Sequence, residues 1–185
     1  MQGEFRWVTR LARFSEDFCE QLGRVVRWLV LAIVLIGSLN AVARYLGRFV
    51  GLNLSSNLWL ELQWYLFSLM FLLGAAYTLH HDEHVRVDVF IQRLSSRGRA
   101  WVNLAGTILF LIPFCILMIW TSWFPVRNSW KILELSPDPG GLPRYPIKTA
   151  IPVAFLLLLA VGCAQAVRLV RELRHRPPTG GGSAA

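Results

Sequence analysis

WVNLAGTILFLIPFCILMIWTSW, residues 101–123, contains no Asp, Glu, Lys or Arg. A bilayer core about 30 Å thick is crossed by roughly 20 apolar helical residues, so this run is long enough to span. Backbone groups in lipid must pair within the segment, which makes it a helix rather than an open strand. It also lacks the polar alternation of a membrane barrel strand. Working outward, three further stretches read the same way: about Val25–Arg44, Leu58–Leu79 and Ala150–Leu169. Length alone, at 185 residues, would allow one soluble domain, but 55% of the residues are hydrophobic, only 16% are charged, and the apolar ones lie in runs. The fold class is an all-α integral membrane protein: four transmembrane helices plus amphipathic interfacial helices.

The basic residues set the expected orientation. Five precede the first span (Arg6, Arg10, Arg13, Arg24, Arg27) and two follow it (Arg44, Arg48). Four lie between spans two and three (Arg86, Arg93, Arg97, Arg99), four between spans three and four (Arg127, Lys131, Arg144, Lys148), and four near the end (Arg168, Arg171, Arg174, Arg176). With the N-terminus inside, the cytoplasmic side holds 13 and the opposite side 6, and the Lys/Arg bias places both termini in the cytoplasm. The formal charge of +8 is therefore topology, directed at anionic headgroups and not at nucleic acid. The first span follows some two dozen residues rich in charges and aromatics and has no small-residue cleavage site, so it reads as a true span and not a signal peptide.

Residues 1–24 form a segment of their own in this reading. Phe5, Val8, Leu11, Ala12, Phe14, Phe18 and Leu22 share one helical face, and Arg6, Arg10, Arg13, Asp17, Glu20 and Arg24 the other. That pattern predicts a cytoplasmic helix in the interface plane, its apolar face on membrane lipid or a partner. A second surface helix is expected at about 86–96, where Val87, Phe90, Ile91 and Leu94 fit i, i+3, i+4, i+7. Between spans three and four, Pro137-Asp-Pro-Gly-Gly-Leu-Pro143 fixes turns and excludes helix. Pro113, in the middle of span three, removes a helix hydrogen bond and predicts a kink. Pro152 is expected in the first turns of span four. Small residues at Gly37 and Ala41, and at Ala160, Gly162, Ala164 and Ala166, suit close helix approach. The tail, residues 170–185, is expected to be cytoplasmic and disordered, with Pro then Gly and Ser from Pro177 onward.

Chemistry-bearing residues are few. The span interiors hold Asn40, Asn103 and Gln165 but no charge near a midplane, where an ionisable group would mark a transport path. Glu61 sits near the outer end of span two, either solvated or paired with an Arg or Lys of a partner subunit. His80 and His84 stand four apart like two ligands on a helix face, but no Cys/His cluster completes a shell, and the block reads as a charged exit from span two. The four histidines lie at or beyond span ends, which excludes haem held within the bundle. Cys19, Cys115 and Cys163 form no CxxC pair and read as packing residues. No phosphate loop, Ser/His/Asp set or carboxylate pair is present. The expectation is a protein without cofactor or metal, and not an enzyme.

Several blocks carry a family likeness. Glu61-Leu-Gln-Trp-Tyr-Leu-Phe67, Leu73-Gly-Ala-Ala-Tyr77 and His84-Val-Arg-Val-Asp-Val89 resemble the small permease subunit (DctQ-like) of TRAP (tripartite ATP-independent periplasmic) transporters. Ser129-Trp130, Glu134, Ser136-Pro-Asp-Pro-Gly-Gly-Leu-Pro143 and Ile147-Lys148 are similar to one branch of that family, and the likeness runs from about Val25 to Leu169. It implies a bacterial inner-membrane scaffold subunit, paired with a large TRAP permease subunit that carries the substrate and sodium sites. A periplasmic solute-binding protein delivers an organic acid to that pair; the branch suggests a 2-oxo acid or a related acid. The candidate partner-interface or structural residues so implied are Glu61, Gly74, His84, Arg86, Asp88, Trp130 and Glu134. Where many relatives have two adjacent acids, Glu61 is followed by Leu62. The rivals are a membrane anchor for a redox enzyme, disfavoured by the missing haem and thiol ligands, and a stand-alone four-helix exporter, disfavoured by spans without charge.

Overall fold

The computed structural model describes residues 2–51, 56–81 and 95–175, and the side chains of most of these. Its elements are α1 (Gln2–Val50), α2 (Asn57–His80), α3 (Ser96–Gly106), a π-helical turn (Thr107–Leu111), α4 (Ile112–Lys131) and α5 (Arg144–His175). Among the described residues every regular element is helical. Four stretches are long and apolar enough to cross a membrane: Phe18–Val50, Asn57–His80, Arg97–Lys131 and Arg144–Arg174. The chain is a multi-pass membrane protein. Trp28, Phe71 and Trp120 point outward from it and are largely exposed, as lipid-facing side chains must be.

The helix starts follow local chemistry. The Ser56 hydroxyl accepts the Leu58 N–H at 3.3 Å and opens α2. Ser95 accepts the Gly98 N–H at 3.2 Å and opens α3. Both are N-cap serines filling a vacancy that every helix start leaves.

Span three shows how a membrane helix absorbs a proline. Pro113 has no N–H, so the turn before it cannot close in the α register. The backbone widens at Thr107–Leu111, and the Ile112 N–H bonds back to the Thr107 carbonyl, five residues away. A π-turn is one of the recognised causes of an altered helix axis. In span four the helix begins at Arg144, six residues earlier than expected. Pro152 is therefore interior and not in the first turn; Pro146 occupies that place, where a missing N–H is cheap.

The segment at 1–24 is not a separate element. α1 runs unbroken through it into span one, and Phe18, Cys19 and Leu22 pack with Ala76, Leu79, Cys115, Leu158 and Val161 in the core. Gly23 allows this, since a Cβ there would stand 2.4 Å from the Tyr77 ring. No proline or turn sequence separates the apolar face of residues 18–22 from the span, so the helix simply continues. At 1.5 Å per residue α1 is roughly 74 Å long, more than twice the hydrocarbon thickness. At the other terminus α5 stays helical to His175, past the expected start of the tail at 170. The remainder of that tail, from 176, and most of the expected surface helix at 86–96 lie outside the described residues.

Contacts run from α1 to α2, from α2 to α5, and from α5 to α3 and α4. The spatial order of the spans is thus one, two, four, three. Gly162 faces the Leu111 side chain where spans three and four meet, and Gly37 admits the Gln63 amide between spans one and two. Cys19 and Cys115 are fully buried, while Cys163 is exposed.

Candidate functional site

Among the described residues the densest polar structure lies where span three turns into span four. α4 ends in a Schellman-type stop: the Glu134 N–H reaches the Ser129 carbonyl at 3.0 Å and the Leu133 N–H the Trp130 carbonyl at 3.4 Å. Glycine usually takes the left-handed position of that motif. Here Leu133 does, at φ 47°, a conformation that costs a side-chain-bearing residue about 1–2 kcal/mol. The carboxylate of Glu134 accepts from the Ser129 hydroxyl at 2.7 Å and from the Lys148 ammonium, and its carbonyl accepts the Arg144 N–H at 2.8 Å. One residue thereby ties the end of α4 to the start of α5. Trp130 adds a second tie: its indole N–H donates to Thr149 Oγ1 at 2.8 Å and its ring lies 4.6 Å from that of Tyr145.

The far half of the loop is gripped by span two. Asp138-Pro-Gly-Gly141 closes a turn through the Gly141 N–H to Asp138 carbonyl bond at 3.1 Å. Proline second and Gly140 third, at φ 74°, is the pattern of a type II turn. Beyond it, the Ser136 hydroxyl and the Leu142 N–H each donate to one oxygen of Glu61. The hydroxyl of Tyr65, one helical turn from Glu61 on the same face, donates to the Pro143 carbonyl at 3.2 Å, with the Leu142 carbonyl at 3.5 Å. Glu61 is 2% exposed. It is not solvated; its carboxylate holds its own chain.

Of the residues singled out from sequence, Glu61, Trp130 and Glu134 meet at this loop. Gly74 lies elsewhere on α2, with nothing but its own stretch of helix backbone near where a Cβ would stand; its carbonyl accepts from Thr78 Oγ1 at 3.1 Å. His84, Arg86 and Asp88 lie outside the described residues. The sequence reading gave no role to Tyr65, Ser129, Ser136, Lys148 or Thr149. A carboxylate near a span end must find donors, and a Ser- and Pro-rich loop is where to look for them, but nothing local says which. At the opposite end of the bundle His81 bonds the Tyr77 carbonyl through Nδ1 at 3.1 Å and faces Glu20 through Nε2 at 3.2 Å. No group of three His, Cys, Asp or Glu among the described residues could hold a metal.

Lys148 and then the Ser129 hydroxyl hold the Glu134 carboxyl below its ordinary value, which is about 4.3 for a free glutamate. A depressed folded value means that this tie stabilises the loop fully above about pH 4.3 and weakens as pH falls through the lower folded value. Amide exchange at Glu134 and Arg144, corrected for intrinsic rates, should stay flat from about pH 8 to 5 and rise only below about 4. Unchanged protection in that acid range would show that the carboxylate does not hold the turn.

The acceptor oxygens of these bonds hold backbone or a neighbouring side chain, so the arrangement positions a loop. Known proteins point the same way. Residues 33–172 match the family described as tripartite ATP-independent periplasmic transporters, DctQ component. The chain is 26% identical over 176 residues to the C4-dicarboxylate TRAP transporter small permease protein DctQ of Vibrio cholerae, covering 84% of this chain and 72% of that protein. It is 30% identical over 152 residues to a protein of Haemophilus influenzae described as a TRAP transporter small permease, covering 82% of this chain and 86% of that one. Four spans in the order one, two, four, three, joined by a loop locked through Glu61 and Glu134, carry the match along most of their length: the chain belongs to the DctQ component family of TRAP transporters.

Proposed function

We propose that this chain is the small scaffold subunit of a TRAP-type secondary transporter in the inner membrane, supporting a large permease subunit in ion-coupled uptake of an organic acid. A periplasmic solute-binding protein delivers that acid. The observation that carries the reading is the state of Glu61. A carboxylate that coupled ion movement to transport would need oxygens open to the ion, and both of these oxygens are bonded to the loop. The remaining span interiors offer no midplane charge in its place. The polar groups here organise structure, and the moving parts belong to another subunit. The name of the Vibrio relative, which specifies C4-dicarboxylates, supports an organic acid as solute. The 13-to-6 distribution of basic residues supports both termini in the cytoplasm, with the Glu61–Glu134 loop on the periplasmic face.

The test is reconstitution. The chain alone in proteoliposomes should take up no C4-dicarboxylate or 2-oxo acid under a sodium gradient. Adding a large TRAP permease subunit and a periplasmic solute-binding protein of the same organism should give uptake, and the two membrane subunits should co-purify. Uptake by the lone chain would overturn the scaffold reading. In intact cells, a cysteine introduced at Ser136 should label with an impermeant reagent, and protection until permeabilisation would reverse the orientation.

A further inference from the structure

A cleft of about 490 Å3 opens between the loop-side ends of α4 and α5. Its wall is apolar: Trp123 and Trp130 stand on it, half-exposed or more, with Val126 buried between them. The indole N–H of Trp130 is already bonded to Thr149, so that ring offers the cleft no polar group. At the rim sit Arg127 and Lys131, four residues apart on α4 and both exposed. Neither makes an ion pair or hydrogen bond with any described residue. The acid nearest in sequence, Glu134, is held by Lys148 and Ser129. Two cations thus face outward from an apolar cleft with no carboxylate among the described residues to neutralise them.

Depth fixes what such a cleft meets. The charge-free run of span three ends at Val126. Arg127 and Lys131 lie one and five residues farther, about 1.5 and 7.5 Å along the axis. That interval is the headgroup layer outside the hydrocarbon core, where tryptophans gather at the interface. A soluble anion would satisfy the cations but leave the indole walls wet. A zwitterionic lipid would fill the walls but bring no net charge. An anionic phospholipid does both.

We propose that the Trp123–Arg127–Lys131 cleft is a binding site for one anionic phospholipid of the leaflet on the loop side, with phosphatidylglycerol's headgroup chemistry. The phosphate lies between Arg127 and Lys131 and an acyl chain runs down the wall of Trp123 and Val126. The lipid would fill the seam between spans three and four beside the locked loop, whatever solute the transporter moves.

The full-length chain is placed in phosphatidylcholine nanodiscs containing a minor fraction of phosphatidylglycerol, and bound lipid is counted by native mass spectrometry. The wild type should retain phosphatidylglycerol over phosphatidylcholine. The double variant R127Q/K131Q should bind it roughly thirtyfold more weakly, as expected for two cations near an anionic surface. Trp123→Ala should also weaken retention, while Arg171→Gln, at the opposite end of α5, should leave it unchanged. The wild type gives a reading that needs no variant: added salt should weaken phosphatidylglycerol retention and leave phosphatidylcholine unaffected. Equal retention by wild type and double variant would overturn the proposal, as would equal preference for the two lipids. Displacement by a soluble dicarboxylate would make the cleft a solute site and overturn it too. Loss of binding-protein capture in the double variant, with lipid retention unchanged, would assign the cations to a protein partner instead.

Discussion

Replacing Glu61 with alanine is expected to free the loop between spans three and four while leaving the four spans inserted. The side chain accepts from the Ser136 hydroxyl and from the Leu142 N–H. Hydrogen bonds to a charged acceptor are the stronger kind, and a donor left without its acceptor in a buried place loses more than the bond itself. Tyr65 cannot substitute, because its hydroxyl reaches only carbonyl oxygens of the loop. Amide exchange at Leu142, and protease nicking within residues 132–143, should therefore rise by on the order of tenfold or more. Glu61→Gln should fall between, since it keeps one acceptor and turns an N–H₂ group toward the other donor. The tie at Glu134 shares no hydrogen bond with Glu61, so exchange at Glu134 and Arg144 should change little. A Leu142 amide as protected in the alanine variant as in the wild type would show that the loop is held by something other than this carboxylate.

Gly141→Ala is the second large effect, and it tests the same lock by overfilling it. A Cβ at position 141 would stand 2.5 Å from Ser136 Cβ and 2.6 Å from Glu61 Oε2. Ser136 Cβ is anchored to its own backbone and cannot swing aside as the end of a long side chain could, so the loop itself must shift. Overpacking of this kind costs roughly 1–3 kcal/mol. Two neighbouring variants separate the causes. Gly140→Ala has open space around it but a φ of 74°, so it should cost about 1–2 kcal/mol through backbone strain with the Leu142 amide still protected. Gly74→Ala sits inside α2 in open space and should be neutral or stabilising by about 0.5–1 kcal/mol. Melting of the purified chain ranks the three, and Leu142 exchange tells a clash from strain. Equal exchange in the Gly141 and Gly140 variants would remove the lock from the account.

The spans were legible because hydropathy is a property of a window. A run such as 101–123 declares itself without reference to the rest of the chain, and so do the non-helical residues from Pro137 to Pro143. Boundaries were less legible. Helices extend past the apolar run wherever caps or ties hold their ends, as Arg144 does through the Glu134 carbonyl and as α1 does through Gly23 and Tyr77. The lock was legible only in its parts. Glu61 stood out as an acid at the end of a span and the Ser-Pro-Asp-Pro-Gly-Gly run as a turn. Their meeting joins positions 75 to 81 residues apart, and no periodicity encodes that. The likeness to relatives singled out Trp130 and Glu134 without saying what they touch. The π-turn follows from Pro113, but a missing N–H can also be met by a bend, and the sequence does not choose between them.

The spatial order of the spans also sets a timetable for biogenesis. Span three packs chiefly on span four, so when it leaves the insertion machinery its main neighbour has not yet been made. At about 5–20 residues per second the ribosome needs on the order of a few seconds to complete α5. During that interval the helix containing the π-turn lacks its main packing surface. Only when span four arrives can it slot between spans two and three, and the loop lock then closes in one step with it. The first two spans can pair as soon as they are made; the last two become a unit only together, which makes the synthesis of α5 the committing event of assembly.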